Sequence, residues 1–189
     1  MTIKLRGLVL LALLLATAAT AWPQGADLKT KEVIFGKFKT YVHPDKSFSM
    51  EIPENWSIDD SSKPNEAIVK SADPNTNAAL VIHVWKQEGE LPGGATEYLK
   101  DYLRGTVSTL PNYSQGEPKV QKDGSVGIYF KYDQTVKTGT FDMWGDAFIE
   151  QKGNMVGMVF LIMPHEQYKL KMTPAYKLVN SFKLDAAVK

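Results

Sequence analysis

His43 and Asp45 stand two residues apart in the turn His43-Pro44-Asp45-Lys46 and are the best candidates in this chain for a catalytic or metal-holding pair. An imidazole beside a carboxylate can share a divalent ion or relay a proton. The expected role is the plainer one of a polar turn, because no second histidine or cysteine stands at metal-binding spacing. His83 falls in an apolar strand and is expected to be a satisfied core histidine. His165, next to Glu166 at a helix start, is expected to be solvated polarity. Asp59-Asp60 is an adjacent acidic pair following Trp56, but the residues after it do not supply the spaced oxygen ligands of a calcium loop, so a solvated loop is expected there. No Gly-x-Ser-x-Gly elbow, phosphate-cradling glycine loop or dinucleotide fingerprint occurs. The chain has no cysteine, which excludes disulfides, thiolate metal sites and a cysteine nucleophile together. A non-enzyme without a cofactor is the expectation. The hydrolase alternative rests on His43 and Asp45, and holds that His43→Ala would abolish activity without moving the melting temperature.

A second kind of chemistry is binding. Trp144 and Phe148 share one strand face with Asp142, Asp146 and Glu150, so they could form an aromatic ligand or partner surface. Because the neighbouring strand is apolar on both faces, helices are expected to cover these rings.

The elements that position these residues follow from periodicity. Phe48, Met50 and Ile52 alternate with Ser49 and Glu51, as on a strand with one buried face. Pro53-Glu54-Asn55 ends that strand and turns Trp56 back onto the core. Strands are predicted over Ala67 to Ser71 and Ala79 to Lys86, split by the turn 73–77. In the second, Leu80, Ile82 and Val84 oppose Val81, His83 and Trp85, which calls for cover on both sides. A helix follows Gly93-Gly94, with Leu99, Tyr102, Leu103, Val107 and Leu110 on one face and Pro111 at its end. From Lys119 three meander strands follow, separated by turns at 122–124, 137–139 and 151–154. Pro164 opens a helix, and Pro174 restarts or kinks it before Ala175 to Asn180. Strands grouped in meanders with interposed helices define an α+β class.

The first 21 residues carry Lys4 and Arg6, an apolar run from Gly7 to Ala16, and Ala19-Thr20-Ala21, the pattern of an export signal cleaved after Ala21. The apolar stretch is shorter than the roughly 20 residues that span a bilayer, so no stable membrane anchor is expected after cleavage. Without a cysteine at the cleavage point no lipid anchor forms, and a periplasmic or secreted product is expected. Removing Lys4 and Arg6 from the 22 basic residues leaves 20 against 21 acidic, a net charge of −1 that does not suggest nucleic-acid binding. The domains are then 1–21 signal peptide, 22–38 loose lead-in, 39–185 folded domain and 186–189 tail.

Tyr41, the run Phe48-Ser49-Met50-Glu51-Ile52-Pro53-Glu54-Asn55-Trp56, the meander of long strands and the late Ser181-Phe182-Lys183-Leu184 together span roughly 39–185. In their order and spacing they resemble the superfamily that joins the PsbP extrinsic proteins of photosystem II, the Mog1 Ran-binding proteins and the exported DcrB-like proteins. The resemblance implies an antiparallel β-sheet flanked by helices on both faces, and action by binding rather than catalysis. The expected function is that of an exported, non-enzymatic binding or accessory protein holding a protein partner or small ligand in the cell envelope. The resemblance also admits a manganese- or calcium-dependent assembly factor of the PsbP kind, and an envelope hydrolase is the remaining alternative.

Overall fold

The computed structural model describes residues 32–136 and 139–185. The signal segment, its cleavage point after Ala21, residues 137–138 of one predicted turn and the tail 186–189 lie outside the described residues. The described residues form, in chain order, β1 Phe38–Val42, β2 Phe48–Pro53, β3 Ser57–Asp60, β4 Glu66–Ala72, β5 Ala79–Lys86, α1 Gly94–Val107, β6 Ser114–Gln115, β7 Lys119–Val120, β8 Val126–Val136, β9 Gly139–Lys152, β10 Met155–Pro164, α2 His165–Leu170, α3 Met172–Asn180 and β11 Lys183–Leu184.

The main sheet runs β3-β4-β5-β10-β9-β8-β6, with β7 also on β8, and every pairing is antiparallel. The β9–β10 hairpin turns at Gly153-Asn154, where Gly153 takes φ 58°, the left-handed conformation such a tight turn favours in glycine. One sheet was expected, and the described strands form two. β2 leaves the main sheet for a separate three-stranded one, β1-β2-β11. Its register sets Lys183 against Ser49 and Leu184 against Phe48, so the early and late stretches that carried the family resemblance are strand partners.

β10 is buried from Met155 to Met163, and its alternate residues feed two separate cores. Met158, Phe160 and Ile162 join Val81, Phe130, Met143 and Ile149 in one cluster with Leu99, Tyr102, Leu103 and Val107 of α1. Val159, Leu161 and Met163 join Leu80 and Ile82 in the other, with Phe48, Met50 and Ile52 of β2, Tyr168 of α2, and Ala175, Leu178 and Val179 of α3.

Several local expectations are corrected. Asp59 and Asp60 lie on the short strand β3 at the sheet's edge rather than in a loop. α1 stops at Val107 rather than Leu110, while Leu110 still packs against the core from the following turn. Pro164 closes β10 and caps α2 instead of opening it. The break between the last two helices falls at Lys171, and Pro174 sits in the first turn of α3, where its missing N–H has no helical partner to lose. Within the stretch expected to be loose, Val33 is 0% exposed. Its neighbours are tied down as well: the Trp56 indole Nε1 donates to the Ile34 carbonyl at 3.1 Å, and the Phe35 ring lies 5.3 Å from Trp56.

Gly145 faces Phe130 across the β8–β9 pair. A Cβ there would lie 2.5 Å from Cζ of Phe130, a ring 1% exposed in the core. Gly145→Ala is therefore expected to cost about 1–3 kcal/mol by overpacking, measured by urea denaturation, and Phe130→Leu in the same chain should recover part of the loss.

Candidate functional site

The first candidate cluster is built where the β1–β2 turn meets the start of the β3–β4 connection. His43 is 4% exposed, stacked on Phe48 with ring centroids 5.2 Å apart. Its Nδ1 lies 2.5 Å from Asp45 Oδ1, which also accepts the Ser47 N–H at 2.7 Å. With Nδ1–H donating to Asp45, Nε2 is left to accept the Ser62 hydroxyl at 3.0 Å. Asp60 Oδ2 stands 3.5 Å from Nε2. Burial acts to raise the Asp45 carboxyl, but the hydrogen bonds from Ser47 and His43 outweigh it and hold the group below the ordinary range. The Ser62 bonds hold Asp60 low against a smaller opposing effect of burial. The nearby Tyr41 hydroxyl is pushed up to about 12 by burial, then by Asp60.

The fold thus joins the sequence-predicted His43 and Asp45 to Asp60 and Ser62, which sequence distance had separated. The chain Ser62–His43–Asp45 has the connectivity of a hydrolase triad. Both ring nitrogens are nevertheless engaged in tying a turn to a loop, and Ser62 Oγ also accepts the Ile68 N–H at 3.0 Å. Among the described residues no three histidine, aspartate or glutamate side chains are grouped as a metal would need.

The second candidate is a groove of about 890 Å³ on the main sheet's β8–β9–β10 face. Tyr129 of β8, Trp144, Asp146 and Phe148 of β9 and Val159 of β10 form its floor; Tyr168 of α2, Met172 and Tyr176 of α3 and Phe182 stand over it. α2 packs on β9 and β10, and α3 on β2 and β10. The outer rings therefore stay accessible, with Tyr129 47% exposed. Two glycines shape the floor. A Cβ at Gly127 would sit 2.8 Å from the Phe148 ring and one at Gly157 2.7 Å from Phe182. The expected helical cover is therefore partial: Trp144 and Phe148 are half-buried and line an open groove.

His165 does not line the groove but stacks on its Trp144, rather than standing as solvated polarity. Its ring lies parallel to Trp144 at 4.1 Å, and Nδ1 meets Asp142 Oδ2 at 2.8 Å. Trp144 Nε1 and His165 Nε2 are buried with no hydrogen-bond partner among the described residues. Asp146 is 8% exposed and its Oδ2 accepts the Tyr168 hydroxyl at 2.5 Å. Burial pushes this carboxyl up, with the Tyr168 bond pulling partly the other way. Burial, then Asp146, raises the Tyr168 hydroxyl in turn. His83 lies away from both clusters, bonded through Nε2 to Glu66 Oε1 at 2.8 Å.

Neither family models nor curated proteins match the sequence. Solved structures do. The chain is similar to the cyanobacterial PsbP (CyanoP) of Synechocystis, with TM-score 0.58 and 12% identity over 86% of this chain and 99% of that one. It is also similar to the Ran-binding protein Mog1p of Saccharomyces cerevisiae, with TM-score 0.52 and 7% identity over 81% and 98% of the two chains. A Bacteroides thetaiotaomicron protein matches at TM-score 0.51 and 15% identity, over 82% of this chain and 51% of that one. The fold is that of the PsbP and Mog1 proteins, a mostly antiparallel sheet with few helices.

Sequence reasoning missed Ser62, Tyr168 and Tyr176 as members of either cluster, since nothing local marks them. The exposed end of the Trp144–Phe148 stripe carried the one usable signal. Two outcomes follow from the geometry. His43→Ala should lower stability by about 1–3 kcal/mol, because it removes a buried ring and two hydrogen bonds; the melting temperature moves whether or not an activity exists. For Asp146 the raised carboxyl leaves stability intact below the ordinary carboxylate range and erodes it as pH rises through the folded-state value. Asp146→Asn should therefore match wild type in denaturant midpoint at low pH and exceed it at pH 7.

Proposed function

We propose that this chain is an exported, non-enzymatic binding or accessory protein of the cell envelope, and that the β8–β10 groove is where it holds its ligand or protein partner. The single observation that carries the reading is the groove itself. Its volume of about 890 Å³ lies within the range of small-molecule sites, and such sites combine ring surfaces with a few fixed polar groups, as here. The protein is read as an antiparallel sheet with helices on both faces, because α1 shares one core cluster while α2 and α3 share the other. The name of the Ran-binding Mog1p, whose fold is similar, is consistent with a scaffold that works by binding. Export rests on the first 21 residues. No described helix is long and apolar enough to cross a membrane.

A hydrolase is the second reading, favoured by the Ser62–His43–Asp45 hydrogen-bond chain. One experiment separates the two. A photo-crosslinking side chain placed at Phe148 should capture a defined small molecule or protein in the envelope fraction, whereas the same group at the exposed Val42 of β1 should not. Equal capture from both positions overturns the groove assignment. Fluorophosphonate labelling of Ser62 that is lost in His43→Ala, with no capture at position 148, replaces it with the hydrolase.

A further inference from the structure

We infer that the groove takes a small organic cation, an amine or quaternary ammonium group seated on Asp146 among the rings of Tyr129, Trp144, Phe148 and Tyr168. This rests on the groove reading and specifies its ligand. Three acids point along the same face of β9, and two are already matched: Asp142 meets His165 at 2.8 Å, and Glu150 meets Lys152 at 3.2 Å while also accepting the Leu184 N–H at 3.2 Å. Asp146 lies between them and is the most enclosed. Among the described residues no lysine, arginine or histidine comes within ion-pair reach of it, and its one side-chain hydrogen bond comes from the neutral phenol of Tyr168. Folded proteins rarely leave a carboxylate that enclosed without a cation. The missing partner is a ligand's to supply.

The surrounding rings select the same sign of charge. Register places Tyr129 directly across from Asp146 on β8, while Trp144 and Phe148 flank it two residues to either side on the same face of β9. Tyr168 closes over it, its ring centroid 5.6 Å from that of Trp144, and Tyr129 lies 6.2 Å from Trp144. Ring faces carry the negative part of the aromatic quadrupole, which favours an ammonium group beside such rings, while the carboxylate itself repels an anion. His165 stacked on Trp144 at 4.1 Å holds that ring in place before any ligand arrives. Lys119 and Lys122 belong to β7 and the turn after it, and Lys169 to the exposed side of α2. All three stand at the groove's edge, with long stems that keep their charge in water.

The test is titration of the exported chain with choline and with its neutral isostere 3,3-dimethylbutan-1-ol, following the indole NMR signal that disappears in Trp144→Phe. Choline is expected to shift that signal and to bind at least tenfold more tightly than the alcohol. Asp146→Asn, which should fold stably at pH 7, is expected to bring choline down to the alcohol's level. Equal binding of both compounds overturns the cation while leaving an apolar ligand groove. No shift with either compound at about 10 mM, well above a millimolar Kd, overturns the cation too; crosslinking from position 148 then decides separately whether the groove reading stands.

Discussion

The strand β10 is apolar on both faces from Met155 to Met163, and the rest of the molecule answers to that constraint. Such a strand cannot lie at a sheet's edge or leave either side to water. It takes the middle of the sheet, between β5 and β9, and each of its faces needs its own cover. Residues of one face share a core cluster with α1; those of the other share one with β2, α2 and α3. The second sheet exists to complete that other cover, which is why β2 leaves the main sheet and pairs with β11 at the far end of the chain.

Cover on that second side is incomplete, and the groove is where it stops. α2 and α3 are short, six and nine residues; α2 packs on β9 and β10, and α3 on β2 and β10. The face they leave open is lined by half-buried rings rather than by the polar side chains that would suit plain solvent exposure. Asp146 sharpens the contrast. A carboxylate raised by burial is a standing cost to the folded state, and an apolar or amide side chain at the same place would avoid it.

How much was legible in the sequence depended on the range of the interaction. The alternation of Phe48, Met50 and Ile52, the doubly apolar β5 and the helical face of Leu99, Tyr102, Leu103 and Val107 are local patterns, and they appear in the structure as read. The end of α1 and the cap at Pro164 were displaced because boundaries depend on what the terminal groups meet in space. The stretch before Lys39 looked loose because Val33 and Phe35 show no period; the Val33 N–H is held by the Gln167 side chain and the Phe35 ring by Trp56, both more than twenty residues away. His43 and Asp45 were visible as neighbours, but their link to Asp60 and Ser62 depends on how the β1–β2 turn packs against the β3–β4 connection.

The sequence by itself determined the α+β class, the two-sided burial of the central strands, the absence of any cysteine chemistry and the candidacy of the Trp144–Phe148 stripe, because each follows from residue types at short, regular intervals. Only the tertiary structure decided that the described strands form two sheets, that His165 stacks on Trp144, and that Tyr168 reaches Asp146 across 22 residues. It also decided that Asp142 and Glu150 have basic partners while Asp146 has none in ion-pair reach among the described residues. Those outcomes turn on which surfaces meet when two cores are filled at once, a matter of shape and charge in three dimensions that no local period encodes.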